Sequence, residues 1–179
     1  MVRSGYWIVL RQPIRAGVWL LLAGLLPLQC LGQLSSPIGG LSGSGPGVHS
    51  PDSPFAPLPQ RTDVVPWSLL SDVKLKKISK RLLPEYPPTV QELTNKIQRV
   101  QGFMMPLAPG QRHKHFLLTS VPMTCSFCTP GGPESMVEVK ADTTVAYSLE
   151  PVVVEGKFMV LADDPYGLYY RIVNAVAVK

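Results

Sequence analysis

Apolar and polar positions divide the chain into three unlike stretches. Ala16 to Leu31 is an uncharged apolar run that includes Trp19, Leu20, Leu21 and Leu22. From Gln33 to Pro66 periodicity disappears. It returns at Trp67, Leu70 and Val73, spaced i, i+3, i+6 behind Pro66, a residue suited to a first helical turn. The spacing predicts a short helix with order beginning around Val64 to Trp67. A second helix start is predicted where Thr89 precedes Glu92 by three residues as a capping box, with Val90, Leu93 and Ile97 on one face. Asn95 can end that helix by adopting a left-handed conformation.

Beyond Lys96 the pattern changes to that of strands. Ile97 to Pro106, His115 to Val121, Met136 to Lys140, Val152 to Ala162 and Leu168 to Val178 are rich in β-branched, aromatic and apolar residues and are separated by turn formers. The fourth alternates most plainly, with Val152, Val154, Gly156, Phe158 and Val160 on one face and Val153, Glu155, Lys157 and Met159 on the other. A glycine in mid-strand marks a bulge or the bend that closes a small barrel. The expected fold is therefore mainly β: a small five-stranded OB-like barrel, or a sandwich, preceded by one or two short helices.

Composition assigns roles to the first two stretches. Met1 to Arg15 carries Arg3, Arg11 and Arg15 without an acid, and the apolar run behind it is shorter than the roughly 20 residues a membrane span needs and is interrupted by Pro27. That is a signal-peptide pattern, with processing expected after Gly32. Lipidation of Cys30 or an uncleaved anchor would instead keep the N-terminus at the membrane. The 34 residues from Gln33 to Pro66 hold seven prolines, five glycines and six serines, too little apolar surface to offset the entropy of ordering them. The expected organisation is a signal peptide over 1–32, a disordered linker over 33–63 and a β-rich domain over 64–179, delivered to the periplasm or another extracytoplasmic compartment.

Charge changes the picture little. Removing residues 1–32 leaves 14 basic against 12 acidic residues, a balance near +2. Lys74, Lys76, Lys77, Lys80 and Arg81 cluster, but no aromatic residue interleaves them as a single-strand stacking site requires. They read as a solvated face, and nucleic acid is not an expected partner.

The candidate chemistry lies in Met123 to Pro133. Cys125 and Cys128 are the cysteines that remain after cleavage, and three readings compete for them. Metal binding needs converging thiolates and further ligands. His113 and His115 stand upstream at i, i+2, so in an extended segment both imidazoles project from one face. The resulting Cys₂His₂ set suits zinc, or copper(I) if Met104, Met105 or Met123 joins. The second reading is a structural disulfide stiffening a Pro/Gly loop in an oxidising compartment, the domain then being a protein-interaction module. A thiol-disulfide redox protein is the third. It would need the first cysteine at a helix N-terminus, which Pro130, Gly131, Gly132 and Pro133 disfavour. His49 lies in the linker and is a weak ligand candidate. Asp163-Asp164-Pro165 with Tyr166-Gly167 reads as a turn, and no hydrolase elbow, phosphate loop or dinucleotide fingerprint occurs. No catalytic residues are assigned, and the chain is not expected to be an enzyme.

Val100 to Leu107, Phe116-Leu117-Leu118, and Cys125 followed by Pro130 to Pro133 and Met136-Val137 resemble a family of bacterial exported proteins, a domain of unknown function. Its marks are a G-Y-x-x-P-L strand, an F-L-L strand and a Cys-Ile-His-poly-Pro-Asn-Gln loop. Pro66-Trp67, Val154-Glu155-Gly156 and Tyr169-Tyr170-Arg171 also match, so the resemblance runs from about Trp67 to Val178. Some members are encoded beside zinc-regulated periplasmic ABC transport genes. The resemblance thus implies a periplasmic accessory protein for metal binding or delivery, with a membrane transport partner. Aligned on Cys125, the family's histidine falls on Phe127 and the next residue on Cys128, a thiolate in place of an imidazole.

Overall fold

In the computed structural model, residues 45–178 are described. The expected signal peptide, the first part of the linker and Cys30 lie outside them. In chain order the elements are α1 (Trp67–Leu70), β1 (Lys74–Ile78), β2 (Arg81–Glu85), α2 (Pro88–Gln91), β3 (Ile97–Pro106), β4 (Arg112–Thr119), β5 (Met136–Ala146), β6 (Val152–Val160) and β7 (Tyr170–Val178), with one 3₁₀ turn at Pro133–Ser135. Among the described residues no helix is long and apolar enough to cross a membrane.

Strands β3 to β7 close into a barrel in the order β3-β4-β5-β7-β6, β6 pairing back onto β3. All neighbours are antiparallel except β5 and β7. A three-strand meander, closed by a fourth strand on the first and a parallel fifth on the third, is the OB-type arrangement. Val100, Phe116, Leu118, Val137, Val139, Val154, Phe158, Tyr170 and Ile172 fill its interior without solvent exposure. They come from all five strands, as alternating inward positions of a small barrel must. Leu70 of α1 and Val90 of α2 join the same cluster, so the two helical turns are held by packing rather than by their own length.

The predicted strands are present, with shifted ends: β4 starts earlier, at Arg112, and β5 continues to Ala146. Helix α2 begins at Pro88 behind Pro87 and has no side-chain cap bond, so Thr89 lies inside the helix instead of capping it. Proline already suits that first turn, where its missing N–H has no partner to lose. Asn95 has φ 64°, the left-handed stop expected of it. The unforeseen element is the hairpin β1–β2, a separate two-stranded sheet that carries the basic cluster and exposes every position of β1.

Gly156 marks a bulge, and the extra residue is on the facing strand. Glu155 pairs with Val176 and Lys157 with Val173, leaving Asn174 as the inserted position at φ 51°. The same residue shifts the β5–β7 register between Lys140 and Ala141. A Cβ at Gly156 would come within 2.8 Å of the Val173 carbonyl oxygen and 2.9 Å of Ala175 Cα. Glycine is what lets β6 cross the bulge.

Residues 45–63, expected to be linker, lie against the barrel where they are described. Val48 and Thr129 exchange two backbone hydrogen bonds at 2.8 and 2.9 Å, and Ser120 Oγ donates to the Pro46 carbonyl. Asp63 pairs with Arg61 at 2.8 Å and Arg99 at 3.0 Å, and Arg99 in turn bonds Glu155 at 2.6 Å. The apolar surface against which this stretch orders belongs to the domain, which is why its own composition gave no sign of it.

Candidate functional site

After β4 the chain crosses one end of the barrel as the loop 120–132 and re-enters at β5. Pro122, Pro130 and Pro133 deny it a continuous helix. Turns form in its place, with Cys125 N–H donating to the Pro122 carbonyl at 3.1 Å and Cys128 N–H to the Cys125 carbonyl at 3.3 Å. These turns bring the two Cα atoms to 5.4 Å, and Cys125 and Cys128 are joined as a disulfide. Both cysteines are buried with Val121, and Phe55 packs over them. The Ser53 hydroxyl lies 3.3 Å from Cys125 Sγ and is the donor there, since a disulfide sulfur carries no proton. Gly131 has no room for a side chain: a Cβ would lie 2.2 Å from the Gly45 carbonyl oxygen. The loop is thereby fixed on one side by the disulfide and on the other by residues 45–55. His49, in that segment, has its Nε2 buried without a hydrogen-bond partner among the described residues.

The four ligands expected from the sequence are not brought together. Among the described residues no three His, Cys, Asp or Glu side chains are grouped to hold a metal ion. His113 is buried, its Nε2 3.1 Å from the Gly110 carbonyl oxygen and its ring edge-on to Tyr147 with centroids 6.4 Å apart. His115 is half exposed and binds Glu138 Oε1 through Nε2 at 2.7 Å. The i, i+2 expectation fails because the β4–β5 register jumps between them: His113 faces Val145 and His115 faces Lys140. The extra β5 residues coil the strands there, and the two imidazoles end in different surroundings. The joined sulfurs also have no thiolate to offer, so this oxidised loop does not fit a thiophilic ion. Nor does either cysteine start a helix.

What the loop does border is a small, largely apolar cleft. Met123 lines a cleft of about 80 Å³ together with Tyr147 and Leu149 of the segment after β5 and Met104 and Pro106 of β3. Met123 is 45% exposed and Phe127, at the tip between the cysteines, is 64% exposed. Small-molecule sites commonly measure about 300–1,000 Å³, whereas this cleft has room for about one apolar side chain. Three separated segments supply the lining, so periodicity could not reveal it. The only sequence signal was the run of methionines, adaptable residues that suit a binding surface.

Apart from the cleft, charge is concentrated on β4, β5 and β7. Buried Glu138 accepts from His115 and from Arg171 Nε, and Arg171 Nη2 reaches Asp164 at 3.0 Å. Burial alone would push the Glu138 carboxyl up, but the bonds from Arg171 and His115 and the nearby Lys140 charge outweigh it and hold the group below its ordinary range. Asp164 is likewise pushed up by burial and brought down further by the N–H groups of Tyr166 and Leu168 and by Arg171. Asp163 pairs with Arg81. Each carboxylate of the Asp163-Asp164 turn thus has a cationic partner, and the turn expected from the sequence is tied to both the hairpin and the barrel.

A family model described as a protein of unknown function (DUF3299) matches residues 68–166, from α1 to the turn before β7. Among solved structures, a DUF3299 family protein from Pseudomonas aeruginosa PAO1 is similar, with 19% sequence identity over 74% of this chain and 91% of that one and a TM-score of 0.39. No curated protein matches the chain.

Proposed function

We propose that this chain, which belongs to the DUF3299 family of unknown function, is an exported binding module that captures an apolar side chain of a partner protein at the cleft lined by Met123. The observation that carries the reading is that half-exposed Met123, on a loop pinned by a disulfide, lines a one-side-chain cleft together with Tyr147 and Leu149. A preorganised rim lowers the ordering cost of association. A protein anchor fits that volume, and the larger ligands of small-molecule sites do not. The disulfide supports an extracytoplasmic location, since such bonds persist in oxidising compartments.

The test is selection of a displayed random-peptide library on the oxidised full chain. Expected is enrichment of peptides sharing one apolar anchor, with binding lost in Met123→Asp and weakened at least tenfold in the Cys125→Ser/Cys128→Ser double variant. Absence of enrichment, or binding indifferent to Met123→Asp, overturns the proposal. Stoichiometric zinc or copper(I) taken up by the reduced chain and lost in Cys125→Ser would favour the thiolate reading in its place.

A further inference from the structure

The hairpin β1–β2 has no place in the barrel, and a lone two-stranded sheet is marginal in water. Its register shows how its surface is composed. Leu75 opposes Pro84 and Lys77 opposes Leu82, so these four share one face, while Ile78 and Arg81 pair beside the Ser79-Lys80 turn. Leu75 is 57%, Ile78 50% and Leu82 64% exposed. Three large aliphatic side chains thus stand in solvent on an element of ten paired residues.

Basic groups predominate around them, and three are uncompensated. Lys76 pairs with Glu85 at 3.4 Å and Arg81 with Asp163 at 2.7 Å. Lys74, Lys77 and Lys80 make no ion pair among the described residues, and all three are exposed. Lys77 between Leu75 and Leu82 on one face, with Lys80 in the turn, matches an anionic bilayer surface. The apolar groups enter the acyl boundary, and the lysine stems bury along it while the ammonium groups stay at phosphate level. An acidic protein partner would pair with the lysines but would give Leu75 and Leu82, which share the outward face, no comparable apolar phase.

The opposite face of the hairpin is otherwise engaged. Ile78, Leu83 and Tyr86 border a cavity of about 490 Å³ against the barrel, and its Gln91 and Thr94 side chains are already bonded to the Tyr86 carbonyl and the Val160 N–H. The outward face therefore remains for a surface, and we propose that the β1–β2 hairpin docks the domain on anionic lipid headgroups. This docking surface shares no residue with the Met123 cleft and does not depend on what binds there.

The test is co-sedimentation of the full chain with vesicles of pure phosphatidylcholine and of a 7:3 phosphatidylcholine:phosphatidylglycerol mixture. Expected is preferential binding to the anionic vesicles, weakened at least tenfold by Lys77→Glu/Lys80→Glu and again by raised salt, with Leu82→Gln weakening the salt-resistant remainder. Circular dichroism of each variant checks that the barrel is intact. Binding that ignores the two lysine substitutions, as attachment through residues 1–31 would, overturns the proposal. So does binding to polyglutamate without binding to the anionic vesicles.

Discussion

The Tyr170 hydroxyl donates to the Leu70 carbonyl oxygen at 2.6 Å across 100 residues of sequence, joining the closing strand of the barrel to the first helical turn. Both groups are fully buried, and Phe158 and Tyr86 pack against the same ring.

Tyr170→Phe keeps the ring and removes the donor, leaving a buried carbonyl without its partner. The expected cost is about 1–3 kcal/mol, read as a lower urea midpoint at unchanged slope. Burial, with the nearby Tyr86 and Glu134 charges, pushes the Tyr170 hydroxyl well above the ordinary tyrosine range. The folded state resists forming tyrosinate while the unfolded chain does not. Wild-type stability is therefore expected to fall as pH rises past about 10, less so in the phenylalanine variant.

The Glu138 network acts at the other end of the pH scale. Its folded carboxyl is held below the unfolded value, so its contribution is present at neutral pH and is lost as pH falls through the acid range. Arg171→Met strands a buried carboxylate and is expected to cost about 3 kcal/mol at pH 7. The gap between variant and wild type is expected to narrow below about pH 4, as Glu138 becomes protonated in both. Urea unfolding at several pH values measures it, and a gap constant with pH would show the network to be inert.

Gly156→Ala tests the bulge. The added methyl meets backbone atoms at 2.8 and 2.9 Å and Ile172 Cγ1 at 3.1 Å, and a backbone cannot swing aside like a side-chain tip. Overpacking of this kind costs about 1–3 kcal/mol, which thermal unfolding followed by circular dichroism would register.

For the disulfide the expected effect is modest and local. A ring of four residues removes little entropy from the unfolded chain, about 2 kcal/mol. Cys125→Ser/Cys128→Ser should therefore still fold. Faster proteolysis is expected within residues 120–132, where the bond holds the loop against Val121 and Phe55. Uniform loss of stability without local cleavage would contradict this.

The barrel was legible because its strands bury alternate residues, and burial is what periodicity records. Val154 and Phe158 are inward, as the β6 alternation required. The hairpin was not legible for the same reason: with every residue of β1 exposed, Lys74 to Ile78 carries no burial rhythm, and its lysines looked like an ordinary wet face. His113 and His115 were placed together by a rule that assumes a regular ladder, and the register jump in β4–β5 voids it. Two sulfurs at C-x-x-C spacing satisfy a metal and a disulfide equally, so spacing alone left that choice open. The cleft needs Met104, Met123 and Tyr147 from three segments that become neighbours only in the folded chain.

The seating of β7 between β5 and β6 also bears on how the molecule is made. Two of the five seams wait for residues 170–178, so a ribosome or translocation pore still holding that stretch leaves the cylinder open, with its apolar lining uncovered. Removal of residues 170–178 is therefore expected to yield an aggregating chain rather than a smaller barrel.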